Sequence, residues 1–150
     1  MNNLATSEKG FLATKKKIEK FGGIEVNEHK EGKKKYITFT STDGREFKIT
    51  TRSKASGTWQ TDIRYGKKCL EKINEKEYWI FIDLKTEPNI FYKFYVVPLW
   101  WIQNDIYTAH ERYTSKYHGR RDNDDSKHHG IELKRIEKWH NKWELIGLKA

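Results

Sequence analysis

Three segments of the chain carry side chains of types and spacings that suit phosphate chemistry. In Asp43-Gly44-Arg45-Glu46-Phe47-Lys48, Glu46 and Lys48 stand two apart, and on a strand that spacing puts both on one face. A carboxylate and an ammonium so placed can share a divalent metal and a phosphate oxygen. A hydrolytic centre needs further oxygen ligands, because hard cations take several; Glu25 and Glu28 are the nearest upstream carboxylates, and Mg²⁺ is the cofactor implied if the chain is catalytic. The same pair equally suits an exposed cross-strand ion pair.

The second segment is the basic stretch 51–70, where Arg52, Lys54, Arg64, Lys67 and Lys68 face a single acid, Asp62. Its Thr58, Trp59 and Gln60 supply a hydroxyl, a stacking ring and an amide, the groups that contact phosphates and bases. Gly57 lets a ligand approach the backbone. Trp59 has two readings, a face for a base or a cap folded onto the core, since buried aromatics dominate core energetics. The third segment gathers His110, His118, His128 and His129 with Arg120 and Arg121. Only one cysteine, Cys69, is present, and the histidine spacing matches no zinc signature. Arg120, Arg121, His128 and His129 are therefore expected to make a second nucleic-acid contact or a self-association surface, with a homodimer as the assembly that would follow, and a purely structural capping role suits them equally.

These residues need elements to position them. Phe11, Ile18 and Phe21 recur near one helical face between Ser7, a capping residue, and Gly22-Gly23, a stop. Gly23 to Asn27 and Lys35 to Thr40 alternate as strands, and Thr42-Asp43-Gly44 is a hairpin turn before Glu46 to Thr51. A helical segment is expected at Cys69 to Asn74. Tyr78 to Leu84 is apolar on both faces, the pattern of a central strand covered on both sides. Ile90 to Val97 forms a further strand closed by Pro98. Asn104 can cap a helix through Ile106, Tyr107, His110, Tyr113 and Tyr117 to Gly119, and a last helix carries Ile136, Trp139 and Trp143 on one stripe. The fold expected is α+β, a mixed sheet with flanking helices and a helical C-terminal third.

Composition sets the outer limits. At 150 residues the chain fits one domain, which buries roughly two-thirds of its unfolded surface. A net charge of +9 with 14% aromatic content excludes a disordered basic tail and points to an anionic partner. The longest apolar stretch, Phe94 to Ile102, spans nine residues and contains Pro98, so no membrane partner is expected; the N-terminus lacks the pattern of a signal peptide. With one cysteine, a reducing cytoplasm is the expected compartment.

Ser7-Glu8-Lys9-Gly10 opening the first helix, the hairpin from Tyr36 to Thr51 with Asp43-Gly44 at its tip, and Phe47-Lys48-Ile49-Thr50-Thr51-Arg52 resemble the N-terminal half of small restriction-endonuclease-like proteins of the PD-(D/E)XK superfamily. The resemblance covers residues 7 to about 97 of a single domain 1–150, leaving 98–150 as a helical extension. It implies an αβββαβ core, an α/β/α-like arrangement that binds DNA or RNA and, with an intact motif, hydrolyses phosphodiesters with Mg²⁺. In one register Lys48 stands at the acid and Thr50 at the lysine, and the leading aspartate falls near Lys35 or Tyr36. A shift by two restores Glu46 and Lys48 but still supplies no aspartate. The expectation is a nucleic-acid-binding protein, DNA ahead of RNA, with a degenerate nuclease site. An active Mg²⁺-dependent endonuclease using Glu46 and Lys48 is the first alternative. A protein-interaction module anchored by Trp100, Trp101 and the C-terminal tryptophans is the second.

Overall fold

The computed structural model describes residues 5–68, 76–85, 92–116 and 128–150. The expected helix at Cys69 to Asn74, the start of the strand at Ile90, the helix end at Gly119, His118, and Arg120 and Arg121 lie outside them.

Helix α1 (Thr6–Lys20) begins just before Ser7, which sits in its first turn; the N-cap is Ala5, with no side-chain hydrogen bond to the helix. Its end follows expectation. Gly22 takes φ +103°, and the N–H groups of Gly22 and Gly23 donate to the carbonyls of Glu19 and Ile18, closing the last turn. The chain then runs through an antiparallel meander, β1 (Ile24–Glu31), β2 (Lys34–Thr40) and β3 (Glu46–Lys54). At the second turn Gly44 takes φ +86° and donates to Ser41 O, the conformation the Asp43-Gly44 pair predicts. β1 is irregular: its ladder shifts register between Ile24 and Asn27, where Glu25 takes φ +52°.

β5 (Glu77–Asp83) adds to β3 in parallel and β6 (Lys93–Pro98) adds antiparallel to β5, giving one mixed sheet in the order β1-β2-β3-β5-β6. β4 (Trp59–Asp62) and β7 (His128–Ile131) form a separate two-stranded ribbon. The fold is α+β. As its double-sided pattern requires, β5 is an interior strand, flanked by β3 and β6, with Trp79, Ile80, Phe81 and Ile82 all buried.

Alternation along β5 divides the core in two. Tyr78, Ile80 and Ile82 join Phe11 and Ile18 of α1 with Phe39, Phe47, Ile49 and Trp143. Trp79 and Phe81 join Trp59, Tyr95 and Ile131 with Ile102 and Ile106 of α2 (Leu99–Lys116). α2 starts directly after Pro98, so Asn104 lies in its second turn and does not cap it. No described helix is long and apolar enough to cross a membrane.

The C-terminal segment corrects the expectation of one striped helix. α3 (Leu133–Ile136) is a single turn, followed by 3-10 turns at Glu137–Trp139 and Trp143–Ile146. Ile136 packs on the α2 side of the sheet and Trp143 on the α1 side. The chain rounds the β6 edge between them: His140 bridges to Tyr95, Asn141 takes φ +55°, and its N–H donates to Phe94 O. The apparent stripe is one chain seen on two faces. Trp101 and Trp139, expected as exposed anchors, pack edge to face 5.4 Å apart with Lys138 above Trp101.

Candidate nucleic-acid interface

The β2–β3 ladder runs from Thr40 opposite Glu46 to Ile37 opposite Ile49. From Lys48 onward β3 pairs with β5 on its other side, so the Lys34–Tyr36 end of β2 and the Thr50–Arg52 end of β3 part from each other. A cleft of about 470 Å³ opens there, closed by the first turn of α1 and by Tyr65 and Gln103. Among the described residues its lining holds five cations, Lys33, Lys34, Lys35, Lys48 and Arg52, against three carboxylates, Glu8, Glu31 and Glu77.

Aromatic rings carry these cations. Lys48 Nζ lies 4.5 Å from the Tyr36 ring centre, and the Arg52 guanidinium lies 4.4 Å from that of Trp79 and 5.6 Å from that of Tyr65. Lys34 Nζ lies 5.7 Å from Tyr65. Such contacts hold a cation without neutralising it. Lys35 is paired, at 3.0 Å from Glu8 Oε2, and Glu31 accepts from the Tyr36 hydroxyl. Among the described residues neither Lys34, Lys48 nor Arg52 forms an ion pair with a carboxylate. Burial lowers the pKa of Arg52, the Tyr65 hydroxyl opposing it, and Arg52 Nη1 donates to Thr51 O at 3.1 Å.

Of the expected binding residues that are described, Arg52 alone lines this cleft. Trp59 is corrected: it is fully buried, its Nε1 donates to Ile82 O at 3.0 Å, and it presents no face to a base. The strand β4 alternates, putting Trp59 and Thr61 inward, so a tryptophan that reads as part of a loop by composition is a core residue by periodicity. Lys54 donates to Gly57 O and stands 3.7 Å from Asp83, with its ammonium 4.5 Å from the Trp59 ring centre. Thr58 and Gln60 are exposed and bond each other. Lys67 and Lys68 are exposed beyond the β4 turn. His128 is exposed on β7, and His129 lies half-buried with Nε2 3.0 Å from Arg135 Nη2, which also binds Asp105.

Arg64 is held by Asp62, with Nη2 at 2.6 Å and Nε at 3.0 Å, while the Arg64 N–H donates to the same carboxylate. These bonds hold Asp62 at about 2, below its ordinary 3.8. A depressed carboxylate stabilises the folded chain above its unfolded pKa and loses that contribution as pH falls through the folded one. Wild type is therefore expected to lose urea resistance between pH 3.8 and about 2 more steeply than Asp62→Asn, measured as midpoints across that range. Parallel curves would show the carboxylate to be unbound in solution.

The expected metal set assembles only in part. Glu46 is exposed and shares a shallow depression with Glu25, Lys48 and Glu77, but Glu28 lies on the opposite face, paired to Lys15 of α1 at 2.9 Å. Among the described residues no three His, Cys, Asp or Glu side chains converge closely enough to hold a metal ion. The donors among the described residues do not fit the Mg²⁺ that the resemblance implies.

Sequence reasoning missed Lys33, Lys34, Tyr36, Thr50 and Tyr65 as cleft residues. The run Lys33-Lys34-Lys35 after Gly32 was the available signal, since three adjacent lysines at a turn concentrate charge whichever way each points. No protein family, curated protein or solved structure matches the chain.

Proposed function

We propose that this chain binds nucleic acid through the cleft between β2 and β3 without cleaving it. The observation that carries the reading is the set of three cations, Lys34, Lys48 and Arg52, held on aromatic rings and free of carboxylate ion pairs among the described residues. Holding unneutralised cations in one cleft opposes stability unless an anion is expected there, and polyphosphate backbones bind mainly through such charges. The succession of α1, the β1–β2–β3 meander and a later strand parallel to β3 supports a restriction-endonuclease-like reading. The separation of Glu28 from Glu46, and the lack of a converging carboxylate set among the described residues, favours a degenerate site over an active endonuclease.

A salt titration of binding to duplex DNA, single-stranded DNA and RNA tests this, run with and without Mg²⁺ and followed for cleavage. Replacing Lys33, Lys34 and Lys48 together by Gln is expected to flatten the plot of log K against log salt by about 0.7–0.9 per lost phosphate contact. Arg64→Gln is expected to leave the slope unchanged, because Asp62 already neutralises that guanidinium. An unchanged slope in the triple variant removes the cleft from the interface. Mg²⁺-dependent cleavage lost in Glu46→Ala would overturn the degenerate reading.

A further inference from the structure

The cleft contains more than a general basic surface requires. Arg52 lies half-buried in its lining, over Trp79, which is itself 2% exposed. A guanidinium has five donors, and the partners described for this one are Thr51 O and the Tyr65 ring and hydroxyl. The remaining N–H groups are not sealed off from water, so they face the cleft, where an anion can take the place of solvent as their acceptor. Thr50 and Lys48 precede Arg52 at two-residue steps on β3, so all three side chains share the face that meets the cleft.

Charge and size narrow the ligand. Among the described residues the lining carries five cations and three carboxylates, an excess of two positive charges. A phosphate monoester carries about −1.5 to −2 at neutral pH, whereas a diester carries one negative charge. The volume, about 470 Å³, falls among small-molecule sites of roughly 300–1,000 Å³ and is far below that of a duplex.

We propose that the β2–β3 cleft is a seat for a phosphate monoester, with Arg52 as its direct partner and Lys34 and Lys48 supplying the surrounding positive field. The group can come from a free nucleotide or from the phosphorylated end of a strand, and both present the same dianion. The inference rests on the nucleic-acid reading only for the second source.

The test follows the Arg52 side-chain Nε–H resonance of the intact chain during titration with inorganic phosphate, adenosine 5′-monophosphate, dimethyl phosphate, and one short oligonucleotide with and without a 5′-phosphate. The monoesters are expected to shift it saturably, at least tenfold tighter than dimethyl phosphate. Their affinity should fall as pH drops from 7.5 to 5.5, because the second phosphate ionisation lies near 6. Arg52→Gln is expected to weaken phosphate binding tenfold or more and Lys48→Gln about threefold. If Arg52→Gln does not fold, the wild-type titration and Lys48→Gln still decide the matter. Tighter binding of the phosphorylated oligonucleotide than of the mononucleotide would support a strand end, and equal binding a free nucleotide. Dimethyl phosphate binding as tightly as phosphate, or no shift with any monoester, would overturn the seat. Phosphate binding indifferent to Arg52→Gln, with nucleic-acid binding retained, would overturn the seat and leave the wider reading standing; phosphate binding without nucleic-acid binding would do the reverse.

Discussion

Alanine at Trp59 is expected to lower the unfolding free energy by about 3–5 kcal/mol, the range for truncating a buried tryptophan. The side chain is fully buried, meets Phe81 and Tyr95 edge to face at 5.5 and 5.7 Å, and supplies the Nε1–H that Ile82 O accepts. Truncation opens a cavity between the β4–β7 ribbon and β5 and also removes the donor to a buried carbonyl of β5. Trp59→Phe separates the two effects: it retains much of the ring and loses the hydrogen bond, for an expected cost of about 1–3 kcal/mol. Urea unfolding of the three proteins measures both. A loss under about 1 kcal/mol for Trp59→Ala, accompanied by weaker nucleic-acid binding, would return Trp59 to the surface.

The second large effect is expected where α1 crosses the sheet. Gly10 is buried, and a Cβ added there would stand 2.8 Å from Ser53 Cβ and against the Ser53 hydroxyl, with Ile82 Cδ1 at 3.4 Å. The carbonyl of Gly10 accepts from Thr14 Oγ1 at 2.8 Å, which binds this turn to the next. Gly10→Ala gains helix propensity but must push α1 away from β3, and overpacking of this kind costs about 1–3 kcal/mol. Ser53→Gly removes both atoms in the way. The double variant Gly10→Ala/Ser53→Gly is therefore expected to recover much of the loss, a coupling that thermal or urea unfolding of the four-protein cycle reads directly. Additive losses would mean that the close approach is not what the small residue serves.

Local chemistry made some of the molecule legible and non-local chain paths hid the rest. Asp43-Gly44 specifies its turn within four residues, and Tyr78 to Leu84 declares itself central because no exposed strand carries Tyr-Trp-Ile-Phe-Ile in succession. The cleft was less accessible. Its cations come from β2, β3 and the turn before β2, but their convergence depends on β5, drawn from residues 77–83, taking the far side of β3 while β2 turns away. Lys48 was singled out for its spacing to Glu46, whereas its position in the cleft follows from its alternation with Thr50 and Arg52. Trp59 misled because a basic, hydroxyl-rich neighbourhood suits a ligand loop and a short ribbon equally. The C-terminal tryptophans misled for a different reason. Helical periodicity assumes one axis, and the chain at His140 and Asn141 changes direction around the sheet edge.

The irregularity in β1 bears on how the protein behaves at high concentration. β1 is the terminal strand of the sheet, paired on one side only, and the unpaired backbone of such a strand is a template for a strand from another chain. The register shift at Glu25 interrupts the even spacing of donors and acceptors that a docking strand would need, and Glu28, Lys30 and Glu31 place charge along the remainder. The edge thereby discourages ordered stacking into fibrils while the meander behind it stays regular. A residue that restores extended geometry at position 25 would lengthen the template and raise the tendency to aggregate.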